Sequence, residues 1–294
     1  MNQPIDHRVA DASDAHETGR PDLSILYPVF DEASNVALLL EQTMKWAPRL
    51  AHSFEVIVVD DGSRDGSARA VEHARAGDAR IRIVRHERNR GYGAALRTGL
   101  RAARGRLLFF TDADLQFDLR ELESLLAHTE RFDIVAGYRA RRRDPWPRRV
   151  LAFGWGAIVR AVFGLRVRDI DCAFKVFRRE VIDAIPIESI GAFVNTEILL
   201  RAEREGFRIH QVPVSHHPRR HGRQSGARPR VILRALLELG RFRREFRRGP
   251  DSLAAQAGHG PNVLAAQAGH RPNVLAAQPG DEVGARPAAA PPGA

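Results

Sequence analysis

Cysteine is almost absent from this chain of 294 residues, because Cys172 is the only one. A single cysteine excludes an intramolecular disulfide and any metal site built on paired cysteines, and it gives no sign of an oxidising compartment. Long apolar runs are missing too, since the closest one, at 150–165, is interrupted by Arg160. The polar first residues hold no apolar stretch of the kind found in signal peptides. We therefore expect a cytoplasmic protein without a membrane-spanning helix.

Aromatic residues make up only 7% of the sequence, which is few for a protein that stacks nucleic-acid bases. Acidic residues are outnumbered, with 36 Asp and Glu against 46 Lys and Arg, for a net charge of +10. Residues 219–248 carry +9 and residues 139–149 carry +5, which leaves −4 for the rest. Positive charge concentrated in two segments predicts one anionic partner surface, and we do not expect that partner to be a nucleic acid.

The apolar pattern divides the chain into four parts. Residues 1–21 are polar and aperiodic, which predicts a disordered arm. Residues 22–228 alternate short β-rich runs with amphipathic stretches, as successive βαβ units do. The pattern of apolar residues and arginines at 229–248 predicts a basic amphipathic helix. Residues 249–294 hold three repeats with an 11-residue period, each broken by Gly and Pro, and we expect them to be a disordered tail.

Secondary structure in the second part follows from this alternation. Strands are predicted at 23–27, 54–59, 81–85, 107–111, 133–137, 174–178 and 208–214. Helices are predicted at 33–46, 67–76, 92–103, 119–129, 148–163 and 195–205. The runs VIVV and LLFF are apolar on both faces, which is typical of a parallel sheet covered by helices. The expected fold is a single α/β domain, Rossmann-like, with a mostly parallel sheet and helices on both faces.

An acidic motif, TDADLQ, directly follows the apolar run LLFF. Ligands of a parallel sheet lie beyond the carboxyl ends of its strands. Asp112 and Asp114 are therefore candidates to bind one hard cation, with Gln116 as a further oxygen ligand. Mg²⁺ or Mn²⁺ fits such a set, since these ions combine a few carboxylates with water and substrate phosphates. Taken alone, the motif is explained more simply as a solvated acidic turn.

A second acidic motif, VVDDGSRDGS, also follows a predicted strand. Its glycines permit tight turns, and its Ser and Asp residues can cap the next helix. Asp60 and Asp61 then lie at the sheet edge, where they can accept hydrogen bonds from a base or a ribose. A simple β–α turn explains the Gly and Ser residues but not the two adjacent carboxylates.

Two further motifs lie at strand ends in the same half of the chain. YPVFDE offers the flat apolar surface of Pro28 and Phe30 beside two carboxylates, although this acidic pair also suits a helix N-terminus. NRGYGAALRTGL resembles a glycine-rich phosphate loop before a helix. It has neither the lysine of a P-loop nor the glycine spacing of a dinucleotide-binding motif, so both of those classes are excluded.

These four motifs, in this order and spacing, closely resemble family 2 glycosyltransferases of the GT-A fold. Within that family the resemblance is to the dolichyl-phosphate mannose synthase-like group of polyprenyl-phosphate glycosyltransferases, and it covers about residues 22–226. It implies that Asp112, Asp114 and Gln116 hold Mg²⁺ or Mn²⁺ on the donor diphosphate. It also implies a nucleotide pocket lined by Pro28, Phe30, Glu32, Val59, Asp61, Gly91, Asp112 and Ala113.

The second half of the domain supports the narrower resemblance. AGYRARRR looks like a strand-end motif of the family that puts Arg139 near phosphate, and Arg148 or Arg149 falls where the group has another arginine. DIDCAFKVFRR is similar to the group's D-x-x-S-G-F-R, with Lys175 in place of the arginine. HPRRHGRQSG resembles its R-x-x-G-x-S loop. The catalytic residues implied are Asp114, Arg139, Arg148 and Arg219.

The reaction implied is inverting transfer of a sugar from GDP-mannose or a UDP-sugar to a polyprenyl monophosphate. A phosphate, with a second pKa of about 6, is already ionised near neutrality, so the site needs arginines to hold two anions rather than a strong base. If the acceptor is instead the hydroxyl of a saccharide or another molecule, a base is required. Asp171 and Glu197 are then the candidates.

The basic helix predicted at the end of the domain has two interpretations. It can lie on an anionic surface at the inner face of a membrane, as a peripheral protein does, or pack back on the domain. Its apolar stripe consists of Val231, Ile232, Leu236, Leu239 and Phe242.

Overall fold

A computed structural model describes residues 19–140, 146–219 and 229–247, without the side chains of 146–149, 229 and 247. Within these ranges the chain forms an α/β domain around a sheet of seven strands, which confirms the expected fold class. The tail predicted at 249–294 and most of the predicted N-terminal arm lie outside the described residues.

The order of elements is that predicted from the alternating pattern, with small shifts at their ends. The strands are β1 (Leu23–Val29), β2 (Phe54–Asp60), β3 (Ile81–Arg85), β4 (Leu107–Thr111), β5 (Ile134–Arg139), β6 (Phe174–Arg178) and β7 (Ile209–Val214). The helices are α1 (Ala33–Leu50), α2 (Ser67–Arg75), α3 (Tyr92–Ala102), α4 (Leu122–Leu126), α5 (Trp146–Phe163), α6 (Arg179–Ala184), α7 (Val194–Arg204) and α8 (Pro229–Arg247). A 3₁₀ turn, Leu119–Glu121, precedes α4. Helix α6 was not predicted.

The strands lie in the order β3-β2-β1-β4-β6-β5-β7. The first four are parallel to one another, and so are β5 and β7. Strand β6 runs antiparallel between β4 and β5, a direction that the apolar pattern did not predict. Because β1 pairs with both β2 and β4, the three acidic motifs that follow these strands meet at one edge of the sheet.

Two apolar layers cover the sheet, as the doubly apolar strand β4 requires. On one face Phe109 packs edge to face against Phe174, beneath α1, α2 and α4. On the other face Phe110 stacks on Phe177, beneath α3, α5, α6, α7 and α8. The sheet therefore presents its polar motifs only beyond the strand ends.

Helix α8 packs against the domain. Leu239 and Phe242 are buried, and the Phe242 ring contacts Phe163 of α5 and Phe193. Two members of the stripe expected to meet a membrane are thus used in the core, while Leu236 stays exposed. Among the helices of the described ranges, none combines the length and apolarity needed to cross a bilayer.

Candidate active site

The turn after β4 carries the acidic motif TDADLQ. Asp114 is buried and accepts a hydrogen bond from the backbone N–H of Gln116, while Asp112 is partly buried. Gln116 ties this turn to the segment after β7, because its Nε2 donates to the carbonyl of His217 at 2.9 Å. The backbone N–H of His217 returns a bond to the Gln116 carbonyl at 2.8 Å. This pairing brings the arginine-rich segment of the second half to the acidic turn.

Both carboxylates of the turn hold their protons more tightly than usual. Burial, followed by the charge of Asp112, raises the pKa of Asp114 to about 7. Burial also raises the pKa of Asp112, against the opposing influence of Tyr92 and of the cations Arg139, Lys175 and Arg219. Two desolvated carboxylates this close together favour a bound cation.

Arg219, from the segment after β7, reaches across the site. Its guanidinium forms an ion pair with Glu32 at the end of β1, and Nη1 lies 3.6 Å from Asp114 Oδ2. The Glu32 carboxylate is held from its other oxygen by Asn35 Nδ2 at 2.6 Å. Three of the predicted site residues, from three distant parts of the chain, therefore meet at one point.

Tyr92 is a site residue that the sequence reasoning missed. Its buried hydroxyl faces the Asp112 carboxylate and the Asn195 amide, without a hydrogen bond of ordinary geometry to either. Burial, followed by the charge of Asp112, raises its pKa well above the ordinary value, so the hydroxyl remains protonated as a donor. The available signal was the tyrosine within the motif NRGYG.

Asp61, which the resemblance assigns to the nucleotide pocket, has partners within the protein. Its Oδ1 accepts hydrogen bonds from the backbone N–H of Arg90 at 2.8 Å and lies 2.7 Å from His86 Nδ1. Its Oδ2 accepts from the N–H of Gly91 at 2.8 Å. Asp61 as a whole is only 2% exposed. The carboxylate therefore organises the loop before α3, and that loop borders the site.

The glycines of NRGYG serve close packing. Gly91 has φ +102°, and a Cβ at this position would lie 2.3 Å from the carbonyl oxygen of Ile190. Gly93 donates its backbone N–H to the same carbonyl at 3.1 Å. This part of the motif fits against the loop before α7, so its glycines are explained without a phosphate.

The remaining expected nucleotide contacts divide by exposure. Phe30 is 44% exposed at the end of β1 and offers a ring face to a ligand. Pro28 lies in β1, paired with Val59 of β2. Val59 and Ala113 are buried in the core.

Arg139, at the end of β5, is committed to a carboxylate. Its Nε and Nη2 donate to the two oxygens of Asp169, each at 2.7 Å. Such a bidentate pair fixes the guanidinium plane. Asp169 is therefore a positioning residue that the sequence reasoning did not single out, although it opens the motif DIDCAFKVFRR. The side chain of Arg148 lies outside the described residues.

Lys175 is buried under the site, in the place of the arginine in the group's motif. Its Nζ donates to the carbonyls of Ile170 and Cys172 and lies 3.3 Å from Asn195 Oδ1. Burial lowers its pKa. The ammonium thus holds the loop before β6 through hydrogen bonds. Its positive charge also lowers the pKa of Asp112.

Glu197, one of the two candidate bases, has a structural role. This buried carboxylate accepts hydrogen bonds from the backbone N–H groups of Glu188 and Ser189 and from Arg201 Nε. With both oxygens engaged, it fixes the loop before α7. Asp171, the other candidate, is partly buried.

The acidic turn fits a hard divalent cation. Asp112 and Asp114 supply two desolvated carboxylates, and Gln116, whose Nε2 is engaged with His217, is a further candidate ligand through Oε1. In the described part of the chain no cluster of three or more His, Cys, Asp or Glu residues suits a metal. A metal bound here would take its other ligands from donor phosphates and water, as Mg²⁺ commonly does.

Comparisons with known proteins identify the family of this chain. Residues 24–185 match the model of the family described as glycosyl transferase family 2. The chain is 30% identical to dodecaprenyl-phosphate galacturonate synthase of Rhizobium johnstonii, over 68% of this chain and 60% of that protein. It is 32% identical to undecaprenyl-phosphate 4-deoxy-4-formamido-L-arabinose transferase of Pseudomonas fluorescens, over 74% of this chain and 63% of that protein. It is 33% identical to glycosyltransferase AglD of Haloferax volcanii, over 74% and 36%. The chain thus spans between about a third and two thirds of these curated relatives.

Solved structures share the fold. Glucosyl-3-phosphoglycerate synthase from Mycobacterium tuberculosis, in complex with Mn²⁺ and UDP-glucose, superposes with a TM-score of 0.60 at 22% identity, over 76% of this chain and 80% of that one. The same enzyme with Mg²⁺ and UDP gives 0.57 at 21% identity, over 85% and 83%.

Proposed function

Because this chain belongs to glycosyl transferase family 2, we propose that it transfers a sugar from a nucleotide-diphosphate sugar to a polyprenyl monophosphate, with inversion at the anomeric carbon. Family membership is what the four motifs predicted. The donor is GDP-mannose or a UDP-sugar, and the reaction takes place at the cytoplasmic face of an anionic membrane. Two relatives whose names specify dodecaprenyl or undecaprenyl phosphate support this acceptor class.

The observation that carries the proposal is the meeting of Asp112 and Asp114 with Arg219 and Glu32. The reaction joins a donor diphosphate to an acceptor phosphate, so the site must hold two anions together. The guanidinium of Arg219 reaches this point on a segment that follows the last strand, and a guanidinium binds phosphate through two parallel bonds. The ion pair with Glu32 orients that guanidinium before the substrates arrive.

Asp112, Asp114 and Gln116 would hold Mg²⁺ or Mn²⁺, which neutralises the charge that develops on a diphosphate leaving group. The protein's own groups supply the rest of the environment. The positive charges of Arg139 and Lys175 lower the pKa of Asp112. The protonated hydroxyl of Tyr92 faces the same carboxylate. These groups oppose protonation of Asp112 and so keep it available as a ligand.

A phosphate acceptor also explains why Glu197 does not need to act as a base. A phosphate monoester near neutrality is already an anionic nucleophile, since its second pKa is about 6. A hydroxyl acceptor would need a carboxylate free to take a proton, and Glu197 has both oxygens engaged. The alternative, transfer to a saccharide or another hydroxyl, would then depend on Asp171.

The donor is tested by thermal stabilisation. GDP-mannose and UDP-sugars are added separately to the purified protein, with Mg²⁺, with Mn²⁺ or with EDTA. We expect one nucleotide class to raise the melting temperature only when a metal is present, since a ligand that binds the folded state stabilises it. Stabilisation that is equal in EDTA would contradict the metal site.

The acceptor is tested by transfer of radiolabelled sugar to a short, water-soluble polyprenyl phosphate and, in parallel, to saccharides. Asp114→Asn should abolish transfer. Asp118→Asn is the matched control, because Asp118 lies in the same loop but pairs with Arg120 at the surface. Transfer to a saccharide with none to the lipid phosphate would select the alternative and give Asp171 the role of base.

A further inference from the structure

The second half of the motif VVDDGSRDGS caps a helix that lies far away in the chain. Three consecutive backbone N–H groups at the start of α1, at 31–33, donate to side chains of the loop after β2. The acceptors are Ser63 Oγ at 3.0 Å, Ser67 Oγ at 2.9 Å and Asp65 Oδ2 at 2.9 Å. The sequence pattern assigned these side chains only to the helix that follows them. The loop therefore also supplies the cap of α1, from 32 to 35 residues away.

Asp65 is the charged member of this cap, and it serves two helices at once. Its Oδ2 accepts the N–H of Ala33, the first residue of α1, and its Oδ1 accepts the N–H of Ser67, the first residue of α2, also at 2.9 Å. A helix N-terminus carries partial positive charge, so a carboxylate between two such ends is favourable. Desolvation raises the pKa of Asp65, but hydrogen bonds from Ser67 and from the backbone of Ala33 outweigh it and lower that pKa. The ionised carboxylate thus joins α1 to α2.

Glu32 lies at the N-cap position of α1, where a side chain commonly accepts N–H groups of its own helix. Its carboxylate is used differently, because its two oxygens contact Arg219 and the Asn35 amide. Asp65 and Ser67 take over the capping of the backbone at this point. The cap from the distant loop therefore leaves the Glu32 carboxylate available to the site.

The backbone just before Glu32 is strained, and the same loop holds it in place. Asp31 has φ +55°, a left-handed conformation that is uncommon for residues other than glycine. Its Oδ1 accepts the N–H of Arg64 at 2.9 Å, and its own N–H donates to Ser63. Such a conformation persists only where the surroundings fix it. The direction in which Glu32 leaves β1 is therefore set by the loop at 63–67.

We propose that Asp65 is a positioning residue for sugar transfer: by capping α1 it fixes Glu32, and Glu32 in turn orients the guanidinium of Arg219. This inference rests on the proposed function, in which Arg219 holds the substrate phosphates. Asp65 acts through the start of α1 rather than through a substrate, since both of its oxygens are engaged within the protein. A cap with a purely structural role would affect stability alone.

Double-variant kinetics on the full chain test this link. Asp65→Ala should lower kcat/KM for transfer to a short, water-soluble polyprenyl phosphate by about tenfold, because a small misplacement of a substrate-binding group costs that much or more. Combined with Arg219→Ala, it should add little to the loss caused by Arg219→Ala alone, since changes that remove one shared interaction are not additive. Asp65→Asn should recover part of the activity, because its amide oxygen can still accept the N–H of Ala33.

The matched control is Asp78→Ala. Asp78 also accepts the N–H of the residue two positions further along, Arg80, and it pairs with the Arg80 side chain at an exposed turn. This variant should leave kcat/KM unchanged. Rates are measured well below the melting temperature of each variant, and circular dichroism verifies the fold, so that unfolding does not contribute to a loss of rate.

Hydrogen exchange tests the same link without an activity assay. Asp65→Ala should speed amide exchange at 31–33, where the cap is lost. It should also speed exchange at His217, whose N–H is bonded to the Gln116 carbonyl and which lies two residues before Arg219. Asp78→Ala should change the exchange of neither segment.

Each outcome bears on the inference. Losses that multiply in the double variant overturn it, and so does a normal kcat/KM of Asp65→Ala with a lowered melting temperature. Unchanged exchange at His217 in Asp65→Ala overturns it as well. Faster exchange at both segments, in a protein that transfers no sugar to any polyprenyl phosphate, supports the inference and contradicts the proposed function.

Discussion

The carboxylate pair after β2 and the pair after β4 have the same position in the fold but differ in how their charge is satisfied. Asp61 accepts two backbone N–H bonds and contacts His86, and Asp60 accepts the N–H of Ser63 at 3.0 Å. Asp114 accepts one backbone N–H, and burial raises its pKa to about 7. The comparison separates a strand-end pair that backbone N–H groups of the loops satisfy from a pair whose burial leaves its charge disfavoured, and the proposed function gives that second pair to a cation.

The strongest test of this comparison removes charge from the second pair. Asp112→Asn or Asp114→Asn should lower transfer by about 10³-fold or more, since a metal contributes several kcal/mol to the transition state and about 1.36 kcal/mol corresponds to each tenfold change. The fold should be retained, because burial disfavours these charges. Radiolabelled transfer and thermal melting measure the two effects. Near-normal activity of both variants, or activity that EDTA leaves unchanged, would rule out the metal role.

The converse test removes charge from the first pair. Asp61→Asn should lower the free energy of unfolding by about 2–4 kcal/mol, because it weakens charged hydrogen bonds to the loop before α3 and sets an amide donor against N–H groups. That loss corresponds to roughly 5–15 °C in melting temperature.

The control for this test is Asp78→Asn, which affects only a surface pair with Arg80. We expect Asp61→Asn to lower the melting temperature more than it lowers the transfer activity of the folded protein. If its melting temperature is unchanged while binding of the nucleotide donor is lost, Asp61 contacts the nucleotide, as the family resemblance implies.

A third test concerns the guanidinium of Arg219, which lies beside Asp114 of the second pair. Arg219→Ala should reduce kcat/KM by about 10- to 150-fold, the equivalent of one charged bidentate contact of about 1.5–3 kcal/mol. Arg219→Lys should recover part of this loss, because an ammonium cannot reproduce the guanidinium fork. Arg208→Ala, at an exposed pair with Asp133, provides the control. A kinetically silent Arg219→Ala would show that the guanidinium does not hold the substrates.

The last test leaves transfer unaltered and concerns the region beneath the second pair. Burial, followed by the charge of Asp169, raises the pKa of the Cys172 thiol from its ordinary value near 9 to about 12. At pH 8 the folded protein should therefore hold roughly a thousandth of the thiolate present in the unfolded chain. A colorimetric thiol reagent should leave the native protein unmodified and react on denaturation. Rapid reaction of the native protein would show that the core beneath Asp112 opens readily.

Much of the domain followed from local pattern. Each predicted strand is present within two residues, because strands and helices impose different apolar periods that can be read without tertiary contacts. The antiparallel direction of β6 could not be predicted, because a strand that is buried on both faces has the same apolar sequence pattern whichever way it runs. The short helix α6 was missed for a related reason, because its six residues are too few to show a helical period.

The site was predictable in part for the same reason. The motifs predicted that acidic residues gather where the parallel strands end, and the structure brings Glu32, Asp114 and Arg219 together there. Tyr92 and Asp169 were not singled out, because their roles depend on contacts with side chains that lie far away in the chain.

Sequence alone determined the α/β alternation, the family and the edge of the sheet at which the acidic motifs gather, because periodicity and strand ends are local properties. Only the tertiary structure decided which carboxylates are already satisfied, since the N–H groups that bind Asp61 belong to a loop about thirty residues away. It also decided which apolar helix face stays open. Leu239 and Phe242 of α8 find a partner in the core and Phe153 of α5 does not, and burial is a property of neighbours rather than of the residue itself.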